Sequence, residues 1–489
     1  MTIPFNQVPA NLRVPFLYAE FDNSNAVQGP QTQPYNVLLI GPMLNAGTKA
    51  ENTKHLVTSK ADAKAFFGAG SLIAEMAGKY LDVNRINELY CIGIKDDVAA
   101  VAATGSVKVT GAPTAAGTLS VYIGGIVSRV AVASGATLAS IATALQAVMA
   151  ANADLLASAV VDGVDTTKIN ITAKSKGLPG NDIDIRVNYN SDEELPLGLG
   201  VTIVAMTGGL TNPAISSALA VIGDGQYIKL ISAFRDSSNM ALMEAELATR
   251  FGPIKQNDGY CHYGAKGTLS ELNAIGDARN SQFTIIHRAG GPTHPASQVS
   301  AKVAVIAAAA QIDPARPFQT LAVPGIMPES EEEMLELEDR NILLYHGIST
   351  DKVVGTQVVL ERVITTYKKN NADADDTSYL DLNTLLTLSY LRYDWRNYML
   401  RKYPRHKLAG DGNRFASGQP IMTPKLGKAE AVAKFKEWQF NGLVEGLDQF
   451  KAGLIVERST GDVNRLDFLL PPDLVNQLMV IGTQFGFLL

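Results

Sequence analysis

The side chains best suited to chemistry are six histidines, His55, His262, His287, His294, His346 and His406, and two cysteines, Cys91 and Cys261. Their spacing offers little. No HExxH or HxH pair occurs and neither cysteine has a CxxC partner, so the sequence contains no recognisable metal-ligand set and no metal is expected. It has neither a GxxxxGK[ST] phosphate loop nor a GxGxxG after a strand, and no nucleotide or other cofactor is expected. A nucleophilic site would need Ser, His and an acid assembled on an α/β scaffold, and the GxSxG elbow is missing. His346-Gly347-Ile348-Ser349 sits at the end of an apolar run, while Gly355-Thr356-Gln357 has glutamine where a nucleophile would stand. His346 therefore reads as a strand-end histidine satisfied by backbone groups. No catalytic residue is assigned, and the chain is read as a non-enzyme.

The elements that would position any site are those of a large folded chain. With 489 residues, 46% hydrophobic and 18% charged, it can bury enough surface for two to four domains. Two cysteines cannot form a stabilising framework, and both lie in apolar runs (ELYCIGI and GYCHYGA), so they read as buried thiols of a protein assembled in a reducing cytoplasm. The first residues lack the charged and apolar regions of a secretory signal. VAVIAAAA, the longest apolar run, is far shorter than the roughly 20 residues of a membrane span, so no membrane insertion is expected.

Strands and helices alternate in a pattern that predicts a doubly wound α/β core over 30–104 and 224–395. NVLLIG, ELYCIGI, YIKLISAF, GYCHYGA, FTIIHRAG, FQTLAVPG, ILLYHGIS and VVLERVITTY read as strands, with helices over 60–84, in MALMEAELATRF, over 269–279 and over 296–311. The interruption, 105–223, reads as an inserted α+β surface domain: SVKVTGA, TLSVYIGG, VSRVAVA, INITAKSK and IDIRVNY are short strands, with a helix after Thr137. A proline-spaced arm, 1–29, precedes the core. A C-terminal α+β domain, 396–475, follows a long helix over 378–403 capped by Asp376 or Thr377 and stopped by Pro404. It contains the helix KAEAVAKFKEWQFN, ended by Gly442, and a hairpin about Gly461-Asp462.

Charge is uneven. Net charge is −6, yet the ten Lys and Arg of 396–436 face only Asp411 and Glu430, leaving that segment at +8 and the remainder at −14. This stretch suits either an acidic partner or plain solvation. Tyr398, Tyr403, Phe415 and Phe435 within it are the stacking groups a nucleic-acid binder would use. The acidic run from Glu329 to Asp339 reads as a helix start, with Ser330 and Glu333 forming a capping box. The last segment, 476–489, reads as an apolar strand without the Lys or Pro that guards a free sheet edge, so it must pair, within its own chain or by donation to another. Two free arms on one chain would link subunits head to tail, which generates helical polymers.

The opening FNQVPANLRVPFLYAEFDNSNA with NVLLIGPMLNAGT, and the closing YPRHKLAGDGNRFASGQPIMTPK with the run from FNGLVEGLDQF to FGFLL, resemble the tail sheath proteins of Mu-like contractile-tailed phages. The likeness covers both ends and the layout of the middle, and less of the insertion. It implies a subtilisin-like doubly wound core without a catalytic triad, an outward insertion, and a C-terminal domain lining the tube. The implied subunit polymerises with itself as stacked hexameric rings around the tail tube protein, between baseplate and tail terminator proteins. It assembles in the host cytoplasm, joins the virion tail and contracts to drive the tube through the host envelope. Nucleic acid is not among its expected partners. Arms that join neighbouring sheets would place Leu12, Val14 and Phe16 at one end and Val480, Ile481, Phe485 and Phe487 at the other. Lys425, Lys428, Lys434 and Lys436 would face the tube. The rival readings are an α/β hydrolase of subtilisin-like fold and a nucleic-acid-binding protein using 396–436.

Overall fold

The computed structural model describes residues 33–488, so Leu12, Val14 and Phe16 of the opening arm lie outside the described residues. The core begins with β1 (Val37–Pro42), buried at every position as a strand covered on both faces must be. A short strand β2 (Lys54–Leu56) precedes helices α1 (Lys60–Phe67) and α2 (Leu72–Val83). The single helix expected over 60–84 is thus two. Gly68 and Gly70 take left-handed φ values of 91° and 78° between them, and the Ser71 side chain caps the second by accepting from Ala74 N. Strand β3 (Leu89–Ile94) then pairs in parallel with β1.

The next elements leave this sheet. They are β4 (Thr104–Gly111), β5 (Gly117–Ile123), β6 (Ile126–Val132), α3 (Leu138–Ala151, capped by Thr137), β7 (Ala157–Val161), β8 (Lys168–Ala173), β9 (Ile185–Val187) and β10 (Leu199–Thr207). They form a four-stranded antiparallel sheet ordered β10-β4-β8-β7 and a three-stranded one ordered β6-β5-β9. Both β7 and β10 escape the sequence reading: they are the edge strands of their sheet, with several exposed positions, and β7 is only five residues long with small side chains at its start. Val107, Val121, Leu145 and Ile171 of this part share one apolar cluster with Val37, Leu39, Ile73 and Val299 of the core. The insertion therefore rests on the core through a common apolar interior. Around that contact Lys266 binds Asp184, Arg235 binds Asp182, and Arg186 bridges Asp184 and Glu333.

The chain returns through α4 (Ser216–Ala220), β11 (Lys229–Ser232), α5 (Ser237–Phe251), β12 (Tyr260–Ala265), α6 (Leu269–Asp277), β13 (Thr284–Arg288) and α7 (Pro295–Ile312). Then come β14 (Ala322–Val323), α8 (Leu337–Tyr345), β15 (Ile348–Val354) and β16 (Gln357–Arg362). The nine-stranded sheet runs β14-β16-β15-β13-β12-β11-β1-β3-β2. Its central pairings are parallel, and β2, β14 and β16 are antiparallel additions at the ends. Two expectations are corrected here. ILLYHGIS is the end of α8 and the start of β15, separated by Gly347 at φ 78°, because a short apolar run serves helix and strand alike. The Ser330–Glu333 capping box does form, but it opens a three-residue 3-10 turn.

Beyond the sheet lie α9 (Leu382–Lys402), β17 (Lys407–Leu408), β18 (Ile421–Met422), α10 (Pro424–Phe440), β19 (Val444–Glu445), α11 (Leu447–Gly453), β20 (Ile455–Arg458), β21 (Leu466–Leu469) and β22 (Asp473–Leu474). Helix α9 starts later than expected, with Asp381 at its N-cap. Asp376 is engaged instead by the Tyr367 hydroxyl and by Ser378 N, while Asp381 pairs with Arg362. Among the described residues no helix is long and apolar enough to cross a membrane.

Candidate assembly surface

The C-terminal module is built on the packing of α10 against α9. Thr423 accepts from Leu426 N, Pro424 opens the first turn, and Gly442 at φ 73° follows the C-cap Asn441. The buried stripe of α10 is Gly427, Ala431, Lys434, Phe435 and Trp438, the spacing of one helical face. Phe435 stacks on Phe450 at 4.1 Å, and Trp395 of α9 meets Phe468 of β21 edge-on at 5.4 Å. The hairpin of β20 and β21 pairs antiparallel from Ile455↔Leu469 to Arg458↔Leu466, about the turn that the sequence marks at Gly461-Asp462.

Lys434 corrects the expectation of a tube-facing lysine. It is 4% exposed, and its Nζ lies 2.7 Å from Asp394 Oδ2 and 3.0 Å from Glu437 Oε2. Trp438 Nε1 donates to the same Asp394 oxygen at 2.7 Å. A charge this deep is retained only when paired and hydrogen-bonded, so Lys434 is a strut between two helices. Its place in the apolar stripe, three residues after Ala431 and four before Trp438, was the available sequence signal. Lys425, Lys428 and Lys436 are exposed on α10. Lys402 is also engaged, by Glu430 at 2.7 Å, and Tyr403 donates to that carboxylate at 2.6 Å. Lys402 and Glu430 hold each other charged: hydrogen bonding outweighs the cost of burial, raising the lysine's pKa and lowering the carboxyl's. The other eight Lys and Arg of 396–436 remain a solvent-facing basic surface.

Strand β22 pairs with β19, and Val475 N donates to Leu443 O. After that the chain leaves its own fold. Residues 476–488 form no helix or strand, and Gln319 Nε2 donates to Leu478 O at 3.0 Å. Val480, Ile481, Phe485 and Phe487 are 84%, 75%, 90% and 81% exposed. The expected terminal strand is therefore unpaired within the described chain, and its apolar side chains face solvent.

His346 is held by a carboxylate rather than by backbone, with Nδ1 2.8 Å from both oxygens of Asp277. Ser349 is buried, donating to Ile364 O and accepting from Ile364 N.

Two family models match the chain: the phage tail sheath protein central domain over residues 208–366 and the phage tail sheath C-terminal domain over 374–485. The chain is 41% identical over 493 residues to the Mu-like prophage FluMu tail sheath protein of Haemophilus influenzae, covering 100% of both. A solved sheath tail protein from Desulfitobacterium hafniense shares the fold at 12% identity and a TM-score of 0.50, over 95% of this chain and 97% of that one. Another, from Listeria innocua, matches at 13% identity and a TM-score of 0.47, over 91% and 93%.

Proposed function

The chain belongs to the phage tail sheath family, and from that premise we propose that it polymerises as stacked hexameric rings around the tail tube and contracts to drive the tube through the host envelope. It is a structural subunit of a contractile tail. Its α/β core is a subtilisin-like scaffold used without a catalytic triad, its inserted part, 105–223, faces outward, and the 396–475 domain faces the tube. Assembly takes place in the host cytoplasm, with tail tube, baseplate and tail terminator proteins as further partners.

The exposed terminal segment carries this reading. A run with Val480, Ile481, Phe485 and Phe487 in water and its backbone outside any ladder is an aggregation hazard unless another sheet receives it. Donation to a second copy satisfies both needs and, repeated head to tail, builds an open helical array. Burying those four side chains supplies on the order of 6–12 kcal/mol before ordering costs, at about 1.5–3 kcal/mol each. Leu12, Val14 and Phe16 are assigned the corresponding role in the opening arm. With strand-linked neighbours, subunits can rotate without parting, and the free energy of contraction resides in interfaces that differ between the two arrays. Negative-stain imaging of the purified full chain tests this reading. Rings or tubes are expected; a protein that stays monomeric at high concentration, with or without tube protein, would overturn it.

A further inference from the structure

The histidines that look dispersed in sequence are not all dispersed in space. Strands β12 and β13 are parallel neighbours, and His262 and His287 emerge from the same face: His262 aligns with Ile285, and Gly264, two residues on, aligns with His287. Their rings stack at 5.2 Å with planes 17° apart, and His262 Nδ1 lies 2.9 Å from His287 Nε2. Both are buried, and α7 packs on the neighbouring strands β11 and β12. From β11, Lys229 adds an Nζ sealed from solvent without a hydrogen-bond partner, 5.9 Å from the Tyr260 ring centroid. From α7, Lys302 donates to Arg288 O at 2.6 Å and pairs with Asp351 of β15 at 2.9 Å. Arg288 itself projects to the opposite face of β13, where Glu329 binds its guanidinium.

We propose that this pair, with Lys229 and Lys302 beside it, is an acid-sensitive latch between α7 and the central strands, so that mild acidification loosens the core of the subunit. The hydrogen bond needs one nitrogen to donate and the other to accept. One added proton preserves that bond but places a cation next to two lysines, and Asp351 is bound to Lys302 rather than to either imidazole. A second proton leaves two N–H groups facing each other.

Burial, then Lys229 and the neighbouring imidazole, hold His262 well below its ordinary range. Burial, then Lys302 and Lys229, do the same for His287. Below about pH 6.5 the unfolded chain therefore binds protons that the folded chain refuses, and stability present above that pH is lost as pH falls. Lys229, lowered by burial, acts in the same direction. Glu75 opposes it, because burial raises its carboxyl to about 7. The test must therefore compare variants.

Full-length wild type, His262→Gln, His287→Gln and the double variant are melted at pH 7.5, 6.5 and 5.5 at fixed ionic strength. The wild-type midpoint should fall across this range, and the variants should lose less. Hydrogen exchange of the wild type, corrected for intrinsic rates, supplies a readout that needs no variant: protection at 260–265, 284–288 and 295–312 should drop at pH 5.5, while 455–469 holds. Parallel melting profiles, or unchanged protection beneath α7, would overturn the proposal.

Discussion

Lys434 Nζ lies 2.7 Å from Asp394 Oδ2, joining α10 to α9 where both side chains are almost wholly sealed from solvent. The lysine is spent on the fold, which separates the basic segment into charges that hold the module together and charges that face outward. Replacing Lys434 with Met strands the Asp394 carboxylate and should cost about 3–5 kcal/mol. K434M/D394N, which removes both charges, should recover much of that. Chemical denaturation followed by tryptophan fluorescence checks this, since Trp438 donates to the same carboxylate.

The outward charges give a separate expectation. Changing Lys425, Lys428 and Lys436 together to Glu should weaken co-assembly with purified tube protein and leave the sheath's self-assembly intact. Each exposed pair is worth on the order of 0–1 kcal/mol, but repetition around every ring multiplies a small term. Co-sedimentation at low and high salt measures it. Tube binding unchanged by substitution and salt would return α10 to an ordinary solvated face.

Excising 105–223 should leave a chain that still folds and polymerises but melts at a lower temperature. The insertion shares the apolar cluster of α2 and α7, so its removal uncovers Ile73 and Val299. Melting and imaging of the shortened chain are the measurements. Failure to fold at all would make the insertion part of the core.

Glu75 should report on the seam between core and insertion. Its Oε2 is sealed without a hydrogen-bond partner, and burial raises its pKa to about 7. The unfolded carboxyl ionises near 4.5, so the folded chain loses stability as pH rises from there through about 7. Glu75→Gln should therefore stabilise the protein at pH 8, on the order of 3 kcal/mol, and do little at pH 5. A difference that does not change with pH would contradict the assignment.

The central strands were legible because VLLIGP and LYCIGI are apolar without interruption, the mark of strands covered on both faces. Strand β7 and the helical character of ILLY were not, since small or short apolar runs have no decisive period. The burial of Lys434 was legible in principle from its place in the α10 stripe, and net charge concealed it. The His262–His287 contact was not legible, because it depends on the register of two strands 24 residues apart in starting position, Tyr260 and Thr284 lying one staggered step from alignment.

Residues 476–489 are assigned to pairing outside their own subunit. Deleting those residues and sizing the truncated chain by analytical ultracentrifugation, with circular dichroism to verify folding, tests that assignment most directly. A folded, soluble monomer is expected at concentrations where the full chain is expected to form rings or tubes. A truncated chain that still polymerises, or one that unfolds, would contradict it.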